Sequence, residues 1–175
     1  MTATKQKMRA KKKSGANPGL AVSDRVQLTG IRLVRCKCER KPVAAKSKRF
    51  YNITTSTEVS PDREKSQLVV VVNFHLRAFH EEDARRPVLT IEVSFVLAYE
   101  LPSFDGLTQE GFDQFADFNG VFNAWPYWRE FVQNTVARMG LPPLTVPVFR
   151  IMPKERKEKT KKDVKTRRQN SQANV

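Results

Sequence analysis

Two runs of alternating apolar residues constrain this chain more than anything else in it. Over residues 67–79, Leu68, Val70, Val72, Phe74 and Leu76 form one unbroken apolar phase. The other phase begins with Val69 and Val71 and turns polar at Asn73, His75 and Arg77. Over residues 88–99, Leu89, Ile91, Val93, Phe95, Leu97 and Tyr99 alternate with Thr90, Glu92 and Ser94. A period of two places each set on one face of an extended strand. Two weaker β runs precede them. In residues 26–38, Val26, Leu28, Val34, Cys36 and Cys38 share a phase, Arg32 is out of place in it, and Gly30 marks a bulge or bend. In residues 50–59, Tyr51, Ile53, Thr55, Thr57 and Val59 are in phase, followed by a turn at Ser60-Pro61-Asp62. Four β segments joined without helices predict an antiparallel sheet with one covered face and one partly wet face.

The pattern changes after Pro102 and Gly106. Thr108 is placed to cap a helix carrying Phe112, Phe115 and Phe118, with Asn119-Gly120 as its stop. A second helix is predicted from about Pro126 to Met139, with Trp128, Phe131, Val132, Thr135, Val136 and Met139 in one stripe. Arg129, Glu130, Gln133, Asn134 and Arg138 form its opposite face, and Gly140 with Leu141-Pro142-Pro143 ends it. Strands first and helices after predict an α+β fold: a four-stranded antiparallel sheet with two C-terminal helices packed on one face.

Charge looks informative and is mostly peripheral. The 175 residues carry a formal +14. Residues 1–20 account for +6 and residues 151–175 for another +6, which leaves +2 for residues 21–150. Lysine-rich, apolar-poor ends cannot bury enough surface to offset ordering entropy, so the expected layout is a disordered basic tail over 1–23, one domain over 24–150 and a disordered basic tail over 151–175. Such tails either grip an anionic partner, RNA or DNA included, or simply solvate the domain. No apolar stretch follows the basic N-terminus as in a secretory signal, and no run reaches the ~18–20 apolar residues that span a bilayer. The expectation is a soluble cytoplasmic protein without membrane insertion.

No catalytic set emerges. There is no Gly-rich phosphate loop or nucleophile elbow, and Glu81, Glu82 and Asp83 read as a solvated loop. Cys36, Cys38, His75 and His80 match no familiar zinc spacing, so no metal or cofactor is expected and the cysteines read as buried free thiols. What remains is apolar surface. Trp125, Tyr127 and Trp128 crowd one helix, and Phe50 and Tyr51 sit beside a basic connector. Aromatic residues in such places anchor partners or pack at interfaces. So apolar a sheet with only two helices also favours self-association.

Several short motifs resemble a known family. Pro126-Tyr127-x-Arg129-Glu130, Val136-x-Arg138 and Leu141-Pro142-x-Leu144 are similar to the opening and close of the long helix of SecB, the protein-export chaperone. Cys36-Lys37-Cys38-Glu39 and Ile91-Glu92-Val93 resemble its strand motifs. The likeness covers about residues 24–150 and is sharpest over 119–149. It implies a holdase assembled as a dimer of dimers, which binds unfolded preproteins in apolar grooves without nucleotide and hands them to the SecA motor. It also implies client contacts at Phe50 and Tyr51 and partner contacts at Glu39 and Glu92. Arg35 stands where the family has an acid, and Lys37 lies beside it. Some SecB-like proteins serve one toxin–antitoxin pair, a role open to a basic, divergent member.

Overall fold

The structure, a computed structural model, describes residues 17–42, 49–80 and 85–149. Its frame is one antiparallel sheet of β1 (Gln27–Arg40), β2 (Arg49–Asp62), β3 (Gln67–His80) and β4 (Leu89–Glu100), in the order β1-β4-β3-β2. The predicted phases hold on the two central strands. Leu68 through Leu76 of β3 and Leu89 through Tyr99 of β4 alternate between buried and half-buried side chains, and Val72 lies opposite Phe95. Helices cover the buried face, where Trp128 stacks flat on Phe74 at 5.1 Å between ring centroids. Trp125 meets the same Phe74 ring edge-on at 5.7 Å.

β1 departs from its expected phase twice. Register shifts fall between Leu28 and Gly30 and between Leu33 and Arg35, leaving Thr29 and Val34 as the extra residues. Gly30 does mark a bulge: the first shift, at Thr29, turns Arg32 to the other phase, and the second, at Val34, restores the original phase for Cys36 and Cys38. Leu28, Ile31, Leu33, Cys36 and Cys38 oppose the buried phase of β4, whereas Arg32, Arg35, Lys37 and Glu39 oppose its outer phase. The thiols are not both buried as expected. Cys36 is exposed and Cys38 half-buried, because no helix reaches far enough over this edge strand to cover it. Burial, with the neighbouring Cys36, raises the Cys38 thiol pKa. The turn after β2 is also later than expected. Pro61 and Asp62 still pair with Leu68 and Gln67, and the chain reverses over residues 63–66, with Ser66 at φ 51°. Asp62 holds that turn by accepting the Lys65 amide at 3.1 Å, and it bridges the Lys65 ammonium at 3.1 Å.

The N-terminal boundary needs correction as well. α1 (Pro18–Ser23) is an ordered helix rather than part of a tail: Asn17 caps it and Val22 is fully buried. Asn119 donates to the Ser23 hydroxyl at 3.1 Å and ties it to the helical layer. The rest of the two expected tails, 1–16 and 151–175, lies outside the described residues, as do most of the connector and the acidic loop, 43–48 and 81–84.

The two expected helices form one continuous helical path. α2 (Gln109–Phe115), capped by Thr108 as predicted, runs through a π-type turn at Ala116–Gly120 into α3 (Val121–Arg138). Asn119-Gly120 does not stop it. Gly120 has ordinary helical angles, φ −59° and ψ −51°, so its lack of a side chain serves another purpose. A Cβ there would sit 2.9 Å from Val70 Cγ1, which makes Gly120 a point of close approach between helix and sheet. The true stop is Gly140, at φ +63°, in a Schellman cap: Gly140 N donates to Ala137 O at 3.0 Å and Leu141 N to Val136 O at 3.1 Å. Replacing Gly120 by alanine must push Val70 or the helix outward, and overpacking of this kind costs about 1–3 kcal/mol. Urea unfolding of Gly120→Ala will show a midpoint loss of that size with an unchanged slope.

Candidate functional site

Beyond the cap, Pro142 and Pro143 forbid a further helical turn, and the chain doubles back along α3 without forming helix or strand. Between this returning segment and the end of the sheet lies an open apolar pocket of roughly 370 Å³. Val136 and Leu141 from the helix cap, Pro142, Pro143 and Leu144 from the returning segment, and Ala78, Val88 and Leu89 from the sheet supply most of its wall. Phe50 and Tyr51 at the start of β2 complete it, with Arg40 and Lys41 from the end of β1 at its rim. Among the described residues, the wall contains no acidic side chain. The Arg40 guanidinium donates to the Met139 carbonyl, which ties the rim to the helix cap.

Both aromatic residues singled out in the sequence therefore line the pocket, though they do so differently. Tyr51 opposes Ala78 on the helix-covered face, and its hydroxyl donates to the Thr145 carbonyl at 3.2 Å. Phe50 opposes Phe79 on the outer face and stacks on that ring at 5.4 Å. Each remains substantially exposed, 45% for Phe50 and 39% for Tyr51, so their ring surface is open to a ligand.

Glu39 and Glu92 lie elsewhere, on the outer face of the sheet. Glu39 bridges Lys37 at 3.1 Å. Glu92 faces Lys37 across the β1–β4 ladder and lies 3.6 Å from His75 Nε2. Both acids thus sit among basic side chains. His75 also accepts from Arg77 Nε at 3.0 Å, while Asn73 and Ser94 pair through a 2.6 Å hydrogen bond beside them.

The sequence did not single out Arg40, Leu141, Pro142, Pro143 or Leu144 as wall residues. The proline pair was legible as a helix stop, and its second consequence, a non-helical segment that forms a wall, follows from the same missing N–H groups. Arg129 belongs to the polar stripe of α3, yet it is half-buried and its Nε donates to the Val146 carbonyl at 2.9 Å. Trp125 Nε1 donates to the Pro147 carbonyl at 2.8 Å. Among the described residues, no cluster of three or more His, Cys, Asp or Glu is arranged to hold a metal, and no helix is long and apolar enough to cross a membrane.

Four antiparallel strands, a helical layer on one face and an apolar pocket where the long helix ends define a SecB-like fold. Comparison with known proteins agrees. The chain is 28% identical over 148 residues to the SecB-like chaperone Rv1957 of Mycobacterium tuberculosis strain H37Rv, spanning 75% of this chain and 81% of that protein. The counterpart in strain CDC 1551, MT2006, matches to the same extent. Among solved structures, Rv1957 in complex with a ChAD peptide from the HigA1 antitoxin superposes with a TM-score of 0.67 at 28% identity, covering 76% of this chain and 96% of that one. No family model matches the sequence. In sequence and fold alike, this chain is similar to the SecB-like chaperones, in line with its helix and strand motifs.

Proposed function

We propose that this protein is a holdase, an ATP-independent chaperone that keeps extended, non-native polypeptide from aggregating. The observation that carries the reading is the open apolar pocket with Phe50 and Tyr51 at its mouth, set on a SecB-like fold. Extended clients need apolar area and accessible hydrogen-bonding groups rather than a closed, shaped cavity, and this site offers both. Assembly into a dimer of dimers belongs to the same proposal. Leu28, Leu33 and Val34 of β1 and Phe122 and Tyr127 of α3 are exposed large apolar residues, and association between copies would cover such surface.

A second, narrower reading is service to one toxin–antitoxin pair, favoured by the antitoxin peptide bound to the structurally similar mycobacterial chaperone. Delivery of clients to SecA for export is supported less well by the outer face of the sheet. Arg32, Arg35 and Lys37 lie on that face, and both Glu39 and Glu92 have basic neighbours, which weakens attraction for a basic partner.

The holdase reading is tested by light scattering. Added in excess to a refolding client, the protein will suppress aggregation without nucleotide. Aggregation that proceeds undiminished at several-fold molar excess would defeat it.

A further inference from the structure

The segment over residues 144–149, Leu-Thr-Val-Pro-Val-Phe, is bound by its own protein in the way an extended client would be. Three successive carbonyls are each met by a side chain rather than by backbone: Thr145 by Tyr51 at 3.2 Å, Val146 by Arg129 at 2.9 Å and Pro147 by Trp125 at 2.8 Å. Reading a backbone through side-chain donors is indifferent to the sequence being read. Val146 and Phe149 provide the deepest apolar anchorage, and Leu144 also packs against the core. Val146 is 3% exposed, and three positions on, Phe149 packs against Trp125 at 5.2 Å, Phe118 at 6.3 Å and Phe122 at 6.4 Å.

The strap is not a strand of the sheet. Among the described residues it makes no backbone–backbone hydrogen bond, so its attachment rests on three side-chain bonds and the apolar packing of Leu144, Val146 and Phe149. Segments with few such ties open at far lower cost than the core. The strap also continues directly from the pocket, since Leu144 and Thr145 line that wall.

We propose that the strap is an internal competitor for client, occupying a channel along α3 that extended polypeptide enters by displacing it. The inference rests on the holdase reading and adds what that reading leaves open. The preferred client segment carries an aliphatic residue followed three positions later by an aromatic one, in the spacing of Val146 and Phe149. Tyr51, Arg129 and Trp125 then transfer their hydrogen bonds from the strap to the client backbone, each bond broken being replaced by one of the same kind. The competition moderates affinity, so that client is held and also released.

Two measurements on the full chain test this. With the two tryptophans labelled at the indole nitrogen, a saturating, permanently unfolded client (a reduced and carboxymethylated globular protein) will shift the Trp125 indole N–H signal. The Trp128 signal, from the core, will stay in place. Saturation that leaves the Trp125 signal unmoved overturns the strap inference and leaves the holdase reading standing, whereas absence of any client binding defeats both. In the second measurement, the strap is weakened by Val146→Ser with Phe149→Ser. If the closed strap is populated about nine-tenths of the time, freeing the channel tightens binding of a synthetic peptide of the strap's own sequence about ten-fold. Equal or weaker binding by a variant with native circular dichroism overturns the inference.

Discussion

Trp128→Ala will unfold this protein at temperatures the native chain withstands. Trp128 is fully buried, stacks flat on Phe74 and lies in the stripe that joins α3 to the sheet, with Val132 and Val136 beneath it. Removing an indole from such a site loses its transfer free energy and leaves a cavity that close-packed neighbours cannot fill, together about 3–5 kcal/mol. That is a large fraction of the roughly 5–15 kcal/mol by which domains are stable. Trp128→Phe will cost much less. It keeps the ring on Phe74 and removes an indole N–H that is buried without a hydrogen-bond partner among the described residues. Thermal unfolding of the two variants separates these effects: a severe loss for alanine and a mild one for phenylalanine. Similar losses would mean that the ring stacking contributes little.

The second large effect concerns the pocket mouth. Phe50→Ala with Tyr51→Ala will lower affinity for an unfolded client at least ten-fold while leaving the fold intact. Both side chains are exposed enough that their truncation opens no core cavity. Interface aromatics of this kind commonly contribute 2 kcal/mol or more each at a binding hot spot, and ~1.4 kcal/mol is already ten-fold. Tyr51 has a second role, its bond to Thr145, so the single variant Tyr51→Phe separates ring from hydroxyl. It keeps the apolar surface and loses the hydroxyl's bond to the strap and to an entering client alike, so client affinity will hold. Unchanged client affinity in the double variant would move the site away from the pocket mouth.

The central strands were legible because β3 and β4 are covered on one face along their whole length, so each residue's burial alternates with period two. β1 was harder. It is an edge strand that helices cover poorly, and bulges at Thr29 and Val34 break its phase twice, leaving only Gly30 and the out-of-phase Arg32 as marks in the sequence. Gly120 misled for a physical reason. Glycine is used both to turn left-handed and to let backbone approach a neighbour, and only the 2.9 Å to Val70 tells the two apart. Phe50 and Tyr51 could be picked out as aromatics beside a connector. The rest of the pocket wall could not, because the aliphatic residues of a helix cap and of a returning segment look like ordinary core residues. Glu39 and Glu92 matched motif positions, yet their basic neighbours are set by strand pairing, which no single strand reveals.

The most direct measurement of the central claim compares one client in two states. Fluorescence anisotropy of a labelled globular protein will report binding to this chain when the client is reduced, carboxymethylated and unfolded. It will report none when the client is native, with no nucleotide present in either case. Equal binding to both states, or binding to neither, would contradict the account of this pocket as a site for extended, non-native polypeptide.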